Sequence, residues 1–221
     1  MQLHCYSSLM PRQVDHDARR RRIAEALWQV ASRQGLDAVS LRHVAAEASV
    51  SMGMVQHYFT TKDAMLRFAL ETIGERAAQR IGQRLAALPQ GSDPHALVRT
   101  VLVEMLPLDE PRHLEAHVGF AFMARAAVQP GIAERLREQH GQLRDFVAGQ
   151  IRAAQQAGQT ALEVDPDYEA VVLLSLLEGL TAHTLAGHHS PDAALATFDR
   201  HLGQLFYTGD LSTDRSHGSA R

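Results

Sequence analysis

The stretch SLRHVAAEASVSMGMVQHYFTTKDAM, residues 40–65, decides how the rest of the chain is read. Ser40 stands just ahead of an apolar-periodic run. It is a good N-cap, because its hydroxyl can accept a backbone N–H that the first helical turn leaves without a partner. Leu41, Val44, Ala45 and Ala48 then recur at helical spacing on one face. Ser49-Val50-Ser51 supplies a tight turn, and a second short helix is expected from about Ser51 to Tyr58. Two short helices that cross steeply need a small residue where they touch, which Ala45 provides. They also need apolar residues that tie both to a third helix, and Val44, Ala48, Val50 and Val55 stand at those places. A second helix presented in this way fits a major groove about 12 Å wide and shows its outer side chains to base edges. A pair of short core helices in any bundle would show the same pattern, so the flanks have to decide.

Working outward, helical period dominates and strand signals are nearly absent: there is no sustained alternation and no Asn-Gly or Asp-Gly hairpin turn between apolar runs. A first helix is expected from about Asp15 to Gln34, with Ile23, Leu27, Val30 and Ala31 on one face and Gly35 as its C-cap. A fourth runs from near Thr61 to about Leu88, where Pro89, Gly91 and Pro94 break it. Five more follow, roughly His95–Leu106, Pro111–Ala127, Ile132–Ala157, Asp167–Gly187 and Pro191–Tyr207. The fold expected is therefore all-α with about nine helices: a three-helix head carrying the helix-turn-helix, then a helical bundle. Residues 1–13 are expected to be a flexible N-terminus, 14–62 a DNA-binding head, 63–207 a helical body, and 208–221 a disordered polar tail.

The net charge of −3 looks wrong for a nucleic-acid binder until the chain is divided. Residues 1–62 carry seven Arg and Lys62 against five acids, whereas residues 63–221 carry fourteen basic and twenty acidic side chains. A basic head on an acidic body can meet phosphates with one end and be repelled by them at the other. No apolar run approaches eighteen residues, so no membrane partner is expected. The N-terminus has no basic region followed by an apolar run, and Cys5 is the single cysteine, so neither a secretory signal nor an intrachain disulfide is expected. These features point to the cytoplasm.

The flanks of the helix-turn-helix now sharpen the reading. An amphipathic helix ending in glycine, AEALWQVASRQGLDAVSLRHVA, is followed by GMVQHYFTTK, in which Gly53, Tyr58, Phe59 and Lys62 hold a fixed spacing. Over about residues 20–66 the chain resembles the tetracycline-repressor (TetR) family of bacterial regulators, and the QHYF variant resembles the BetI-like branch. The resemblance implies a homodimeric, ligand-released repressor on an inverted-repeat operator, with double-stranded DNA and a small-molecule effector of unknown identity as partners. It implies that Ser40 caps the second helix and touches a phosphate. Ser51, Met52, Gly53 and Gln56 would face the groove, and His57 and Lys62 would hold the DNA backbone. Two positions depart from the family's pattern. Gln56 replaces the usual Tyr and is suited to pairing with adenine. Ser49 replaces a frequent Gly and must tolerate an unfavourable backbone angle or use a different turn.

In the body, the Asp167–Gly187 helix is apolar on nearly every side, as expected of a helix buried on two faces. The resemblance implies that the last two helices pair with those of a second copy, placing Leu176, Gly179, Leu180, Phe198, Leu202 and Leu205 at the dimer interface. It places the ligand among the helices from about Ala64 to Gly187, with Phe120, Phe122 and Met123 as lining and Glu178 receiving a cation or pairing with Arg125; a satisfied core acid is the other reading of Glu178. His113 and His117 are four apart and can share a metal only with a third ligand, and there is neither His-Glu-x-x-His nor a cysteine partner. No metal, cofactor or catalytic residue is expected. Two other classes stay open on the sequence: a metal-dependent helical enzyme, which would hold stoichiometric metal and turn over a substrate, and a helical adaptor, which would show no salt-sensitive affinity for duplex DNA.

Overall fold

The computed structural model describes residues 11–206, with side chains from His16 onward. Those residues form helices and no strand: α1 Pro11–Gln34, α2 Leu41–Glu47, α3 Met52–Tyr58, α4 Lys62–Ala86, α5 Pro94–Val103, α6 Glu110–Ala126, α7 Pro130–Gln156, α8 Pro166–Leu185 and α9 Pro191–Leu205. The expected flexible N-terminus, the polar tail and the end of the last helix at Tyr207 lie outside the described residues. The helix α1 begins at Pro11 rather than near Asp15. A proline at the first helical position gives up only an N–H that had no partner.

The boundaries follow from local chemistry. Side chains of Asp93, Asp109, Asp165 and Ser190 accept backbone N–H groups at the starts of α5, α6, α8 and α9, each with a proline at the first or second helical position. Burial pushes the Asp109 carboxyl up, but hydrogen bonds from the side chain and backbone of Arg112, with the charges of Arg112 and Arg80, outweigh it and hold the group below its ordinary value. At the end of α1, Gly35 takes φ +79°, a left-handed angle that costs glycine nothing.

The residues group into two compact units. One comprises residues up to Arg80 with Asp109–Leu136, and the other comprises Ile81–Leu108 with Arg137 onward. The proposed DNA-binding stretch 14–62 lies within the first, which also takes in most of α4, all of α6 and the start of α7. Its core packs Ile23, Leu27 and Trp28 of α1 with Val44, Val55, Phe59, Leu66 and Phe122. The indole Nε1 of Trp28 donates to the carbonyl of Ala69 at 3.1 Å, which fixes α1 against α4. The second unit buries Leu102, Val147, Ile151, Leu173, Leu177, Phe198 and Leu202. In it the Arg99 guanidinium meets the Asp199 carboxylate with two hydrogen bonds of 2.7 and 2.8 Å, tying α5 to α9. Among the described residues no helix is long and apolar enough to cross a membrane.

Candidate nucleic-acid interface

Ser40 is extended and its Oγ accepts the backbone N–H of His43 at 3.1 Å, the N-cap geometry its position requires. The helix it opens is only seven residues long and buries Val44 and Ala45. Two backbone bonds then turn the chain: Ser49 N–H donates to Ala46 O at 3.1 Å and Val50 N–H to Ala45 O at 3.0 Å. This is the bond pattern of a left-handed helix cap, and Ser49 takes φ +54° to make it. Of the two ways open to this serine, the chain uses the unfavourable angle.

The next helix, α3, is capped by Ser51, whose Oγ accepts from the Met54 N–H at 3.1 Å. Val55 is fully buried beneath it and Phe59 seals its end. With that side fixed, Ser51, Met52, Gly53, Gln56 and His57 are all exposed. The structure thus brings five of the seven sequence-predicted DNA residues onto the outside of one short helix. A Cβ added at Gly53 would meet nothing nearer than Ser51 Oγ at 4.0 Å, so internal packing does not demand glycine there. Tyr58 is half-buried, and its ring lies 5.3 Å from that of His57 and 4.5 Å from that of His16 on α1. His16 escaped the sequence reading because only the folded chain brings α1 beside the end of α3. Arg42 is also exposed on α2, a placement that helical period made readable.

Lys62 has a second engagement that the sequence did not suggest. Its Nζ donates to the carbonyls of Leu36 at 3.2 Å and Asp37 at 3.4 Å, in the loop that joins α1 to α2. The ammonium carries three N–H donors, so these two bonds leave one for another acceptor. Arg125 also meets this loop, through the Asp37 carboxylate at 3.0 Å, and it donates to Gln129 at 3.2 Å.

The residues expected at the ligand site divide between the two units, with Phe120, Phe122 and Met123 in the first and Glu178 in the second. Phe122 is fully buried in the core of the first unit, Phe120 is half-buried and Met123 is 44% exposed. None of them, nor Glu178, lines the cleft of about 540 Å³ between α1 and α6 or the smaller one of about 210 Å³ beside Asp63 and Gln129. Arg125, the partner expected for Glu178, belongs to the first unit and Glu178 to the second. Glu178 is half-buried with His140 Nδ1 at 3.7 Å, and Arg125 is held by Asp37 and Gln129. The expected dimer residues also divide. Phe198 and Leu202 are completely buried and Leu180 nearly so, all three within the chain's own core, whereas Leu176, Gly179 and Leu205 are half-buried. An apolar stripe on a helix needs an apolar partner, and here α5, α7 and α8 already supply it for Phe198 and Leu202. The rings of His113 and His117 lie 4.8 Å apart, and among the described residues no group of three or more His, Cys, Asp or Glu side chains is arranged to hold a metal ion.

Comparison with known proteins agrees with this geometry. Residues 23–68 match the family described as bacterial regulatory proteins, tetR family, and residues 94–207 match the one described as BetI-type transcriptional repressor, C-terminal. The chain is 33% identical over 176 residues to the HTH-type transcriptional regulator PksA of Bacillus subtilis (strain 168), covering 80% of this chain and 83% of that protein. The crystal structure of a transcriptional regulator from Rhodococcus sp. Rha1 is 33% identical and superposes with a TM-score of 0.72 over 84% of this chain and 95% of its own. A regulator from Saccharomonospora viridis, solved in complex with choline, shares the fold at 22% identity, with a TM-score of 0.72 over 85% of this chain and 95% of its own.

Proposed function

Because this chain belongs to the TetR family of transcriptional regulators, we propose that it is a repressor that binds an inverted-repeat operator as a homodimer in the cytoplasm and leaves it when a small molecule binds. The family is one of DNA-binding regulators and not of enzymes. The observation that carries the reading is α3 itself. It is capped by Ser51 and anchored by Val55, and it offers Ser51, Met52, Gly53, Gln56 and His57 to the outside.

The roles proposed for single residues follow from their placement. Gln56 lies on the exposed side past the middle of α3 and reads a base edge. Ser40 and His57 meet phosphates from the start of α2 and the end of α3, and the remaining donor of Lys62 does so from the start of α4. Assembly is proposed through the outer side of α8, where Tyr168 is 65% and Val171 47% exposed, with Ser175 exposed and Gly179 and Ala182 half-buried along the same side. Apolar side chains left in water at helical spacing are what a second copy would cover. Release requires that the ligand prefer a conformer in which the two recognition helices no longer match the half-site spacing. The choline bound by the Saccharomonospora viridis regulator makes a small organic molecule the class to screen. Gln56→Ala tests the base-reading role. It should relax one symmetric pair of operator positions by about 1–3 kcal/mol and keep most of the salt dependence. A flattened salt dependence with every base preference retained would make Gln56 a backbone contact instead.

A further inference from the structure

The cleft between α1 and α6 lies wholly within the first unit, and none of the roles above uses it. Its volume of about 540 Å³ falls in the range of small-molecule sites, roughly 300–1,000 Å³. Its apolar wall is Pro111 and Leu114, and the buried indole of Trp28 lies behind it. The charged groups around it are largely spent on one another. Arg76 lies over the Trp28 ring at 4.5 Å and pairs with Glu25, Arg33 pairs with Glu47 at 2.9 Å, and Glu115 takes both arms of Arg80 at 2.7 and 2.9 Å. Each of these pairs is neutral as a unit. What remains for a ligand is the Glu110 carboxylate and the imidazoles of His113 and His117, whose ring centroids lie 4.8 Å apart. Glu110, His113 and His117 stand three and seven positions apart, hence on one side of α6.

The Glu110 carboxylate accepts hydrogen bonds and carries one negative charge, and each imidazole beside it can present a ring nitrogen as an acceptor. Together they suit a ligand that brings a positive charge and several N–H donors on a small apolar body, and the carboxylate repels another carboxylate. We propose that this cleft binds a small organic primary ammonium compound, its N–H groups donating to Glu110 and to the histidine pair while its body rests on Pro111 and Leu114. The site is independent of the DNA-binding reading, since it requires only the packing of α1 on α6.

Trp28 is the chain's single tryptophan, so its fluorescence reports directly on the cleft. The test titrates the intact protein with benzylammonium, with benzoate of the same size, and with benzyltrimethylammonium, which keeps the charge but has no N–H. Benzylammonium should give a saturable change in emission, benzoate none, and the quaternary compound a response at least tenfold weaker. Glu110 is exposed at the first position of α6, so Glu110→Gln should fold as the parent does. It should weaken benzylammonium at least tenfold, as loss of a charge-assisted hydrogen bond does. Equal responses to benzylammonium and benzoate would overturn the proposal, and so would undiminished affinity in Glu110→Gln. A saturable response to zinc chloride with none to benzylammonium would also overturn it and assign the histidine pair to a metal.

Discussion

Replacing Lys62 with Met keeps the length of the stem and removes the ammonium, and the structure gives it two separable consequences. The first is on stability. Two hydrogen bonds from a charged donor, to Leu36 O at 3.2 Å and Asp37 O at 3.4 Å, are lost. Hydrogen bonds to charged groups contribute about 1.5–3 kcal/mol each when buried. The discount here is large, for Leu36 O also accepts the Val39 N–H at 3.2 Å and so keeps a partner, and the Asp37 contact is long and exposed. A loss of about 1–2 kcal/mol in all is expected, which lowers Tm by roughly 2–8 °C for a chain of this length. The second consequence is on DNA. If the third donor neutralises a phosphate, the slope of log affinity against log salt falls by about one per protomer, hence about two per dimer. Thermal melting followed by circular dichroism measures the first, and fluorescence anisotropy on a labelled operator at several salt concentrations measures the second. An unchanged Tm would refute the structural role, and an unchanged slope with a lowered Tm would make Lys62 a positioning residue for the loop before α2 and nothing more.

Three further outcomes follow from particular residues. Gly53→Ala should raise stability by up to about 1 kcal/mol, because alanine is the better helix former and the space is open, and it should weaken operator binding because the added Cβ stands on the outer face, where glycine lets the backbone approach the DNA closely; equal operator affinity would contradict that role. Ser49→Gly should be stabilising by up to about 1 kcal/mol, since it relieves the left-handed angle at φ +54° but adds freedom to the unfolded chain, and a loss of stability in chemical denaturation would contradict that account of the turn. Val171→Glu with Ser175→Glu places charges on the exposed side of α8 and should yield folded monomers by light scattering, whereas Phe198→Glu should unfold the chain because its ring is completely buried; a double variant that stays dimeric would put the interface elsewhere.

What the sequence disclosed and what it withheld divide along the range of the interactions. Caps, turns and helical faces are decided within a few residues, so Ser40, Ser51, Val44 and Val55 stand where the reading of residues 40–65 put them, and the strained angle at Ser49 was already one of its two options. Contacts between distant positions were not legible. Nothing in the spacing says that Lys62 meets carbonyls about 25 residues earlier, or that Arg125 meets Asp37, 88 positions before it. The apolar stripe of α9 was visible, but a stripe does not say whether its own chain or a second copy covers it. Phe198 and Leu202 turn out to serve the chain's own core. The cleft beside Trp28 joins α1 to residues more than 80 positions away on α6, and Glu110 acquires interest only once that wall exists.

The central claim is that α3 reads a two-fold symmetric operator, and selection of bound duplexes from a random pool tests it most directly. The account predicts enrichment of an inverted repeat whose half-sites lie about one helical turn of DNA apart or a multiple of it, bound with an affinity that falls steeply with salt. A pool that yields no symmetric motif, or an affinity for duplex DNA that salt does not change, would contradict it.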